Sequence, residues 1–143
     1  MGSGVTKRQH AVYKAEIRSG VAWSGAYILP AHAQAALDVL VKTAWWRRRT
    51  KVRHIELRWK PGNVFCYGHQ DSDDETRGFI TVSAAALAPG VLFHEAAHVL
   101  TYDEEEDHGP RWMRAYVGII ERRHGAWAAE LLQEAFEEAG LWS

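Results

Sequence analysis

Cysteine is nearly absent from this 143-residue chain: Cys66 stands alone. That excludes an internal disulfide framework and a zinc site made of several cysteines, and it suits a reducing compartment. Cys66 itself reads as a small buried apolar residue. No apolar run approaches the roughly 18 residues a membrane span needs, so no membrane role is expected. The start, Met1-Gly2-Ser3-Gly4 followed by Lys7 and Arg8, lacks the apolar stretch of a secretory leader. Residues 1–6 are expected to lie outside the fold, disordered or an artificial extension. Asparagine is also scarce, Asn63 being the only one, and arginine outnumbers lysine 12 to 5. This composition suits a GC-rich bacterial or phage genome, and the expected location is the cytoplasm of a bacterial or phage-infected cell. The length gives one domain, residues 1–143.

Tryptophan, by contrast, is plentiful: seven residues promise a core built on large aromatics. The net charge of -1 conceals a strong asymmetry. Residues 1–69 carry 12 of the 17 Lys+Arg and 3 of the 18 Asp+Glu, and the remainder of both falls in residues 70–143. The two halves should attract each other, or present separate basic and acidic surfaces.

Periodicity predicts a helix over 7–18, with His10, Tyr13 and Ile17 on one face. Gly20, Gly25 and Pro30 mark a loop. A second helix over 32–47 buries Ala36, Leu37, Leu40, Val41, Ala44 and Trp45. Ile55, Leu57 and Trp59 alternate with His54, Glu56 and Arg58 in a strand. Pro61-Gly62-Asn63 is a turn, Val64 to Tyr67 a short strand, 68–77 a polar loop, and 78–83 a third strand. Three helices close the chain: from Pro89 to about Tyr102, from Pro110 to Gly125, and about 126–139 with Leu131, Leu132, Ala135 and Phe136 buried. The class is α+β, a small mostly antiparallel sheet packed against helices.

His94-Glu95-Ala96-Ala97-His98 carries the chemistry. Residues four apart share one helix face, so His94 and His98 can aim at one metal ion. Glu95 projects about 100° away, near a metal-bound water but not on the metal. Zinc brings the pKa of such a water to about 7, and the carboxylate accepts its proton and passes it to the leaving group. A catalytic zinc needs a third protein ligand. His108, ten residues after His98, supplies one, and Glu121 on the following helix is the alternative.

Strand 78–83, His94 to His98, and His108-Gly109-Pro110-Arg111-Trp112 together resemble the zincin metallopeptidases. The chain is most similar to the SprT-like branch, with its H-G-x-x-aromatic segment, and to small bacterial and phage-encoded metallohydrolases of this layout. The resemblance covers about residues 78–124. It implies a minimal zincin fold, Zn2+ on His94, His98 and His108, Glu95 as general base, and a peptide or protein substrate. Strand 78–83 would be the edge beside the cleft, to which an extended peptide adds.

Tyr102, Tyr116 and Arg111 are the candidate transition-state stabilisers. Asp103-Glu104-Glu105-Glu106-Asp107 reads first as a solvated loop, with a second cation site or a preference for basic substrates as sharper readings. Asp71, Asp73, Asp74 and Glu75 form a similar loop. Arg47, Arg48, Arg49 and Lys51 beside Trp45 and Trp46 offer a weak nucleic-acid contact, or cations at a helix end. The alternatives to a peptidase are a nucleic-acid-binding module with a structural metal, and a zincin without activity that binds a partner.

Overall fold

The protein is described by a computed structural model, in which residues 6–20, 30–60, 66–83 and 89–142 can be described. Its elements follow the order α1 (Lys7–Ser19), α2 (Pro30–Lys42), α3 (Ala44–Arg47), β1 (His54–Trp59), β2 (Tyr67–Gln70), β3 (Arg77–Val82), α4 (Pro89–Leu100), α5 (Pro110–His124) and α6 (Ala126–Glu138). The class is α+β, as expected. Gly25, the Pro61-Gly62-Asn63 turn and Val64 lie outside the described residues. No helix among the described residues is long and apolar enough to cross a membrane.

Thr6, placed by the sequence reading outside the fold, is the N-cap of α1. Its hydroxyl accepts from Gln9 N–H, and the Gln9 side chain accepts from Thr6 N–H. The buried face of α1 is Val12, Ala15 and Glu16, not the expected His10, Tyr13 and Ile17. Ile17 is 59% exposed. A carboxylate takes the inward position because it has buried partners, described below. The expected helix 32–47 breaks at Thr43, whose hydroxyl caps α3 at Trp46 N–H. Leu37, Leu40, Val41 and Trp45 are buried as expected. Cys66 is half-buried and packs against the core.

The sheet corrects three expectations: mostly antiparallel pairing, the bounds of the second strand, and strand 78–83 as an edge. Its strand order is β1-β3-β2, with β1 parallel to β3 and β2 antiparallel to it. It is therefore not mostly antiparallel. The three strands alternate in direction along the chain, but β3 inserts between the first two, so the strands running the same way become neighbours. The second strand also starts later than expected, so residues 68–70 belong to β2 rather than to a loop. Consequently β3 is central, and β2 is the edge that packs on α4. The outer edge of β1 is occupied by Gln34 of α2, whose amide accepts from Leu57 N–H and donates to Ile55 O.

Helix α4 lies between the sheet and α5, with Leu92, Phe93, Ala96, Ala97, Val99 and Leu100 buried. Helix α5 buries Trp112, Ala115, Tyr116, Ile119 and Ile120. Helix α6 packs on α5 and α1 through Ala129, Leu132, Ala135 and Phe136. Leu131, expected inside, is 39% exposed because this seam is narrower than its apolar pattern.

Candidate metal centre

His94 and His98 sit one turn apart on α4, and His108 comes from the segment just before α5. His108 Nε2 lies 3.2 Å from both His94 Nε2 and His98 Nε2. These three are close enough together to hold a metal ion, and they are the one such group of histidine, cysteine or carboxylate ligands among the described residues. Glu121, the alternative third ligand, is exposed on α5 and outside the group.

Local chemistry explains the His108-Gly109-Pro110 run. His108 adopts φ 57, the left-handed region that non-glycine residues enter at some cost. The Arg8 guanidinium holds it there, donating to the His108 carbonyl through Nε at 2.9 Å and Nη2 at 2.7 Å. Glu104 folds back to cap α5, its carboxylate accepting from Arg111 N–H and Trp112 N–H. A Cβ on Gly109 would stand 2.7 Å from that carboxyl carbon and 2.9 Å from the Glu106 carbonyl oxygen, so a larger residue would displace the cap or the backbone. Pro110 then opens the helix, where no amide donor is needed.

Buried partners orient the rings. His94 Nδ1 faces both Glu16 oxygens at 3.0 Å, which keeps a proton on Nδ1 and turns Nε2 toward the other histidines. Tyr116 donates to the same carboxylate at 2.7 Å. Trp112 packs on all three rings, and its indole N–H donates to the His94 carbonyl. Asp107 stands behind the other two, with Oδ2 3.3 Å from His108 Nδ1 and Oδ1 3.9 Å from His98 Nδ1. Gln9 holds Asp107 in turn, donating from its side-chain amide.

Burial and charge tune the group. Burial would lower the His94 pKa, but the carboxylates of Glu16 and Glu95 outweigh it and push it up to about 9. Burial and then the charge of His94 take His98 down to about 3 and His108 down to about 4. Glu95 is buried beside β2, and burial lifts its carboxyl to about 7 despite the pull of His94 and a hydrogen bond from Gly68 N–H. Burial opposes ionisation of Asp107, yet the bond from Gln9 and the nearby histidines hold it below the usual carboxylate range.

The remaining sequence candidates divide. Tyr116 is fully buried, with its hydroxyl committed to Glu16 rather than to an open cleft. Tyr102 is exposed and lines a cavity of about 250 Å³ beside His98 and His108. Arg111 is not brought to the histidines: it pairs with Asp103 at 3.1 Å and, with Arg49 and Arg114, lines a different cavity of about 330 Å³. Most of the acidic run has structural partners, Asp103 on Arg111, Glu104 on α5, Glu106 on Arg8 and Asp107 on Gln9. Lys51 pairs with Glu75, while Arg49 stacks on Trp45.

Sequence reasoning missed α1 as a wall of this site. Arg8, Gln9, Tyr13 and Glu16 all reach it. One signal was available: Glu16 is the only carboxylate before Asp38. Comparison with protein-family models, with curated proteins and with solved structures finds no match.

Proposed function

We propose that this chain is a zinc-dependent hydrolase of the zincin type, acting on peptide bonds. The observation that carries the reading is the convergence of three imidazole nitrogens, two of them on the helix that also carries the buried Glu95 carboxylate. Two imidazole nitrogens bound tetrahedrally at about 2.0–2.1 Å from one zinc would lie about 3.3–3.4 Å apart. The observed separations of 3.2 Å fit that geometry. Three ligands with a fourth position open is the pattern of a catalytic zinc rather than a structural one. The Glu16 carboxylate behind His94 fits it too, since such a partner fixes ring orientation and raises ligand basicity.

Zinc, bound by His94, His98 and His108, would polarise the scissile carbonyl and acidify the attacking water. The protein's own residues do the rest. Glu95, titrating near neutrality, takes the proton of the attacking water on its carboxylate and returns it to the leaving amine. Glu16 and Tyr116 hold His94 in the tautomer the site needs. Gly68 brings β2 to the cleft, which it lines together with His98 and His108. The substrate edge is therefore β2 and not β3: its outer side has no strand partner among the described residues, and an extended peptide can add there.

The test is Glu95→Gln, in protein purified without a nickel column. One zinc per chain should be bound before and after the change, and hydrolysis of a peptide library should fall by about 10²–10⁴-fold. Zinc retained with unchanged turnover would sink the mechanism, and a wild-type chain without zinc would sink the reading.

A further inference from the structure

Tyr13 stands on α1 three residues before Glu16, so the two side chains leave the same flank of the helix. Glu16 is drawn into the core by His94 and Tyr116. One turn before Tyr13, Gln9 and Arg8 fasten α1 to Asp107 and to the His108 carbonyl. These ties on both sides fix Tyr13 over the histidines. Its ring centroid is 6.2 Å from that of His94, at 28°, and 6.0 Å from that of His108, at 77°.

The ring is 42% exposed, and its hydroxyl has no hydrogen-bond partner among the described residues. The neighbouring donors are engaged: Tyr116 on Glu16 and the Trp112 indole on the His94 carbonyl. Glu95 reaches the site from the β2 side, held by Gly68 N–H. Tyr13 reaches it from α1. A phenol without a partner, packed over the histidines and open to solvent, is where a donor to developing negative charge belongs.

We propose that Tyr13 is a catalytic residue of this centre, donating a hydrogen bond to the scissile carbonyl oxygen as that oxygen gains charge. The inference rests on the hydrolase reading above. As water adds, the new C–O bond forms and the carbonyl π pair moves onto the oxygen, where the Tyr13 O–H stabilises it without giving up its proton. The pair returns as the C–N bond breaks, and the amine leaves with the proton carried by Glu95.

The experiment compares wild type, Tyr13→Phe and Tyr13→Ala, each loaded with zinc. Three readouts are taken: zinc content, thermal midpoint, and affinity for acetohydroxamate by calorimetry. Tyr13→Phe should keep one zinc per chain and the wild-type midpoint. It should bind acetohydroxamate about tenfold more weakly, and Tyr13→Ala no better, because the lost group is one hydrogen bond to a charged oxygen. Wild-type affinity in Tyr13→Phe, whatever Tyr13→Ala does, would overturn the role, since the ring and not the hydroxyl would then matter. Loss of zinc in Tyr13→Phe would also overturn it, making Tyr13 a ligand. A wild-type chain that binds neither zinc nor acetohydroxamate fails one step earlier, and takes the hydrolase reading down with the proposal.

Discussion

Glu16 is the residue on which the candidate metal centre turns, because its carboxylate serves two buried groups at once, His94 Nδ1 and the Tyr116 hydroxyl. Glu16→Gln keeps the shape and removes the charge. Metal affinity should fall about 10–100-fold, measured by competition with a chromophoric chelator, while the fold persists. A second expectation concerns acid. In the folded metal-free chain His98 and His108 titrate at about 3 and about 4, mainly through burial, whereas in the unfolded chain both take protons below about 6.5. Their depressed values contribute stability above pH 6.5 that is lost as pH falls. Glu95 opposes this, keeping up to about 7 a proton that the unfolded chain releases above about 4.5. His94, held up to about 9, opposes it as well, but mostly above about 6.5, where the unfolded ring gives up its proton. Between pH 5 and 7 the two depressed histidines outweigh both, so metal-free protein should be less stable in urea at pH 5 than at pH 7. Equal or greater stability at pH 5 would contradict the burial of the pair.

Among the elements, β2 and α1 shape the site without supplying a metal ligand. Strand β2 lies so close to α4 that a Cβ on Gly68 would stand 2.3 Å from the Glu95 carbonyl oxygen and 3.2 Å from a Val99 methyl. Backbone cannot yield as a flexible side chain can. Gly68→Ala should push β2 off α4, lower the thermal midpoint by several degrees and take the Gly68 N–H away from the Glu95 carboxylate. Calorimetry checks the first effect and turnover on the peptide library the second. An unchanged midpoint would mean that β2 is not seated on α4. The sequence pattern located the α4, α5 and β3 segments well: α4 and α5 each open on a proline and carry an apolar helical stripe, and β3 is a short, mostly apolar run. It misjudged β2, whose Gly68-His69-Gln70 shows no apolar alternation and is a strand only because β3 and α4 lie beside it. It misjudged the inward face of α1 for a related reason: Glu16 is buried by partners that no local pattern displays.

For the molecule as a whole, the charge asymmetry resolves only partly into pairing. Arg8–Glu106, Arg18–Glu138 and Lys51–Glu75 join the two halves, but each involves exposed groups and is worth little. Around Trp45 the fold adds cations instead: Arg122 of α5 lies 5.4 Å from the indole, opposite in sequence to Arg49 at 4.4 Å. Burial, then repulsion by Arg48 and Arg122, lowers the Arg49 pKa. Even so, we expect no specific DNA binding at physiological salt. Fluorescence anisotropy with a labelled single strand is the measurement. A sub-micromolar, strongly salt-dependent affinity, abolished by changing Arg47, Arg48, Arg49 and Lys51 to Glu, would show the basic strip to be a phosphate footprint. What the sequence determined by itself was short-range: the four-residue step from His94 to His98 that helical geometry converts into a shared face, and the Gly109-Pro110 start of α5. The tertiary structure decided what depends on distant segments meeting. It brought His108 onto the α4 pair, and Glu16, 78 residues from His94, onto that ring. It made β2 an edge of the sheet among the described residues by inserting β3 between the first two strands. The physical reason is that helical spacing and capping are written in neighbouring residues, whereas a buried carboxylate finds its partners only once separate elements pack into one core.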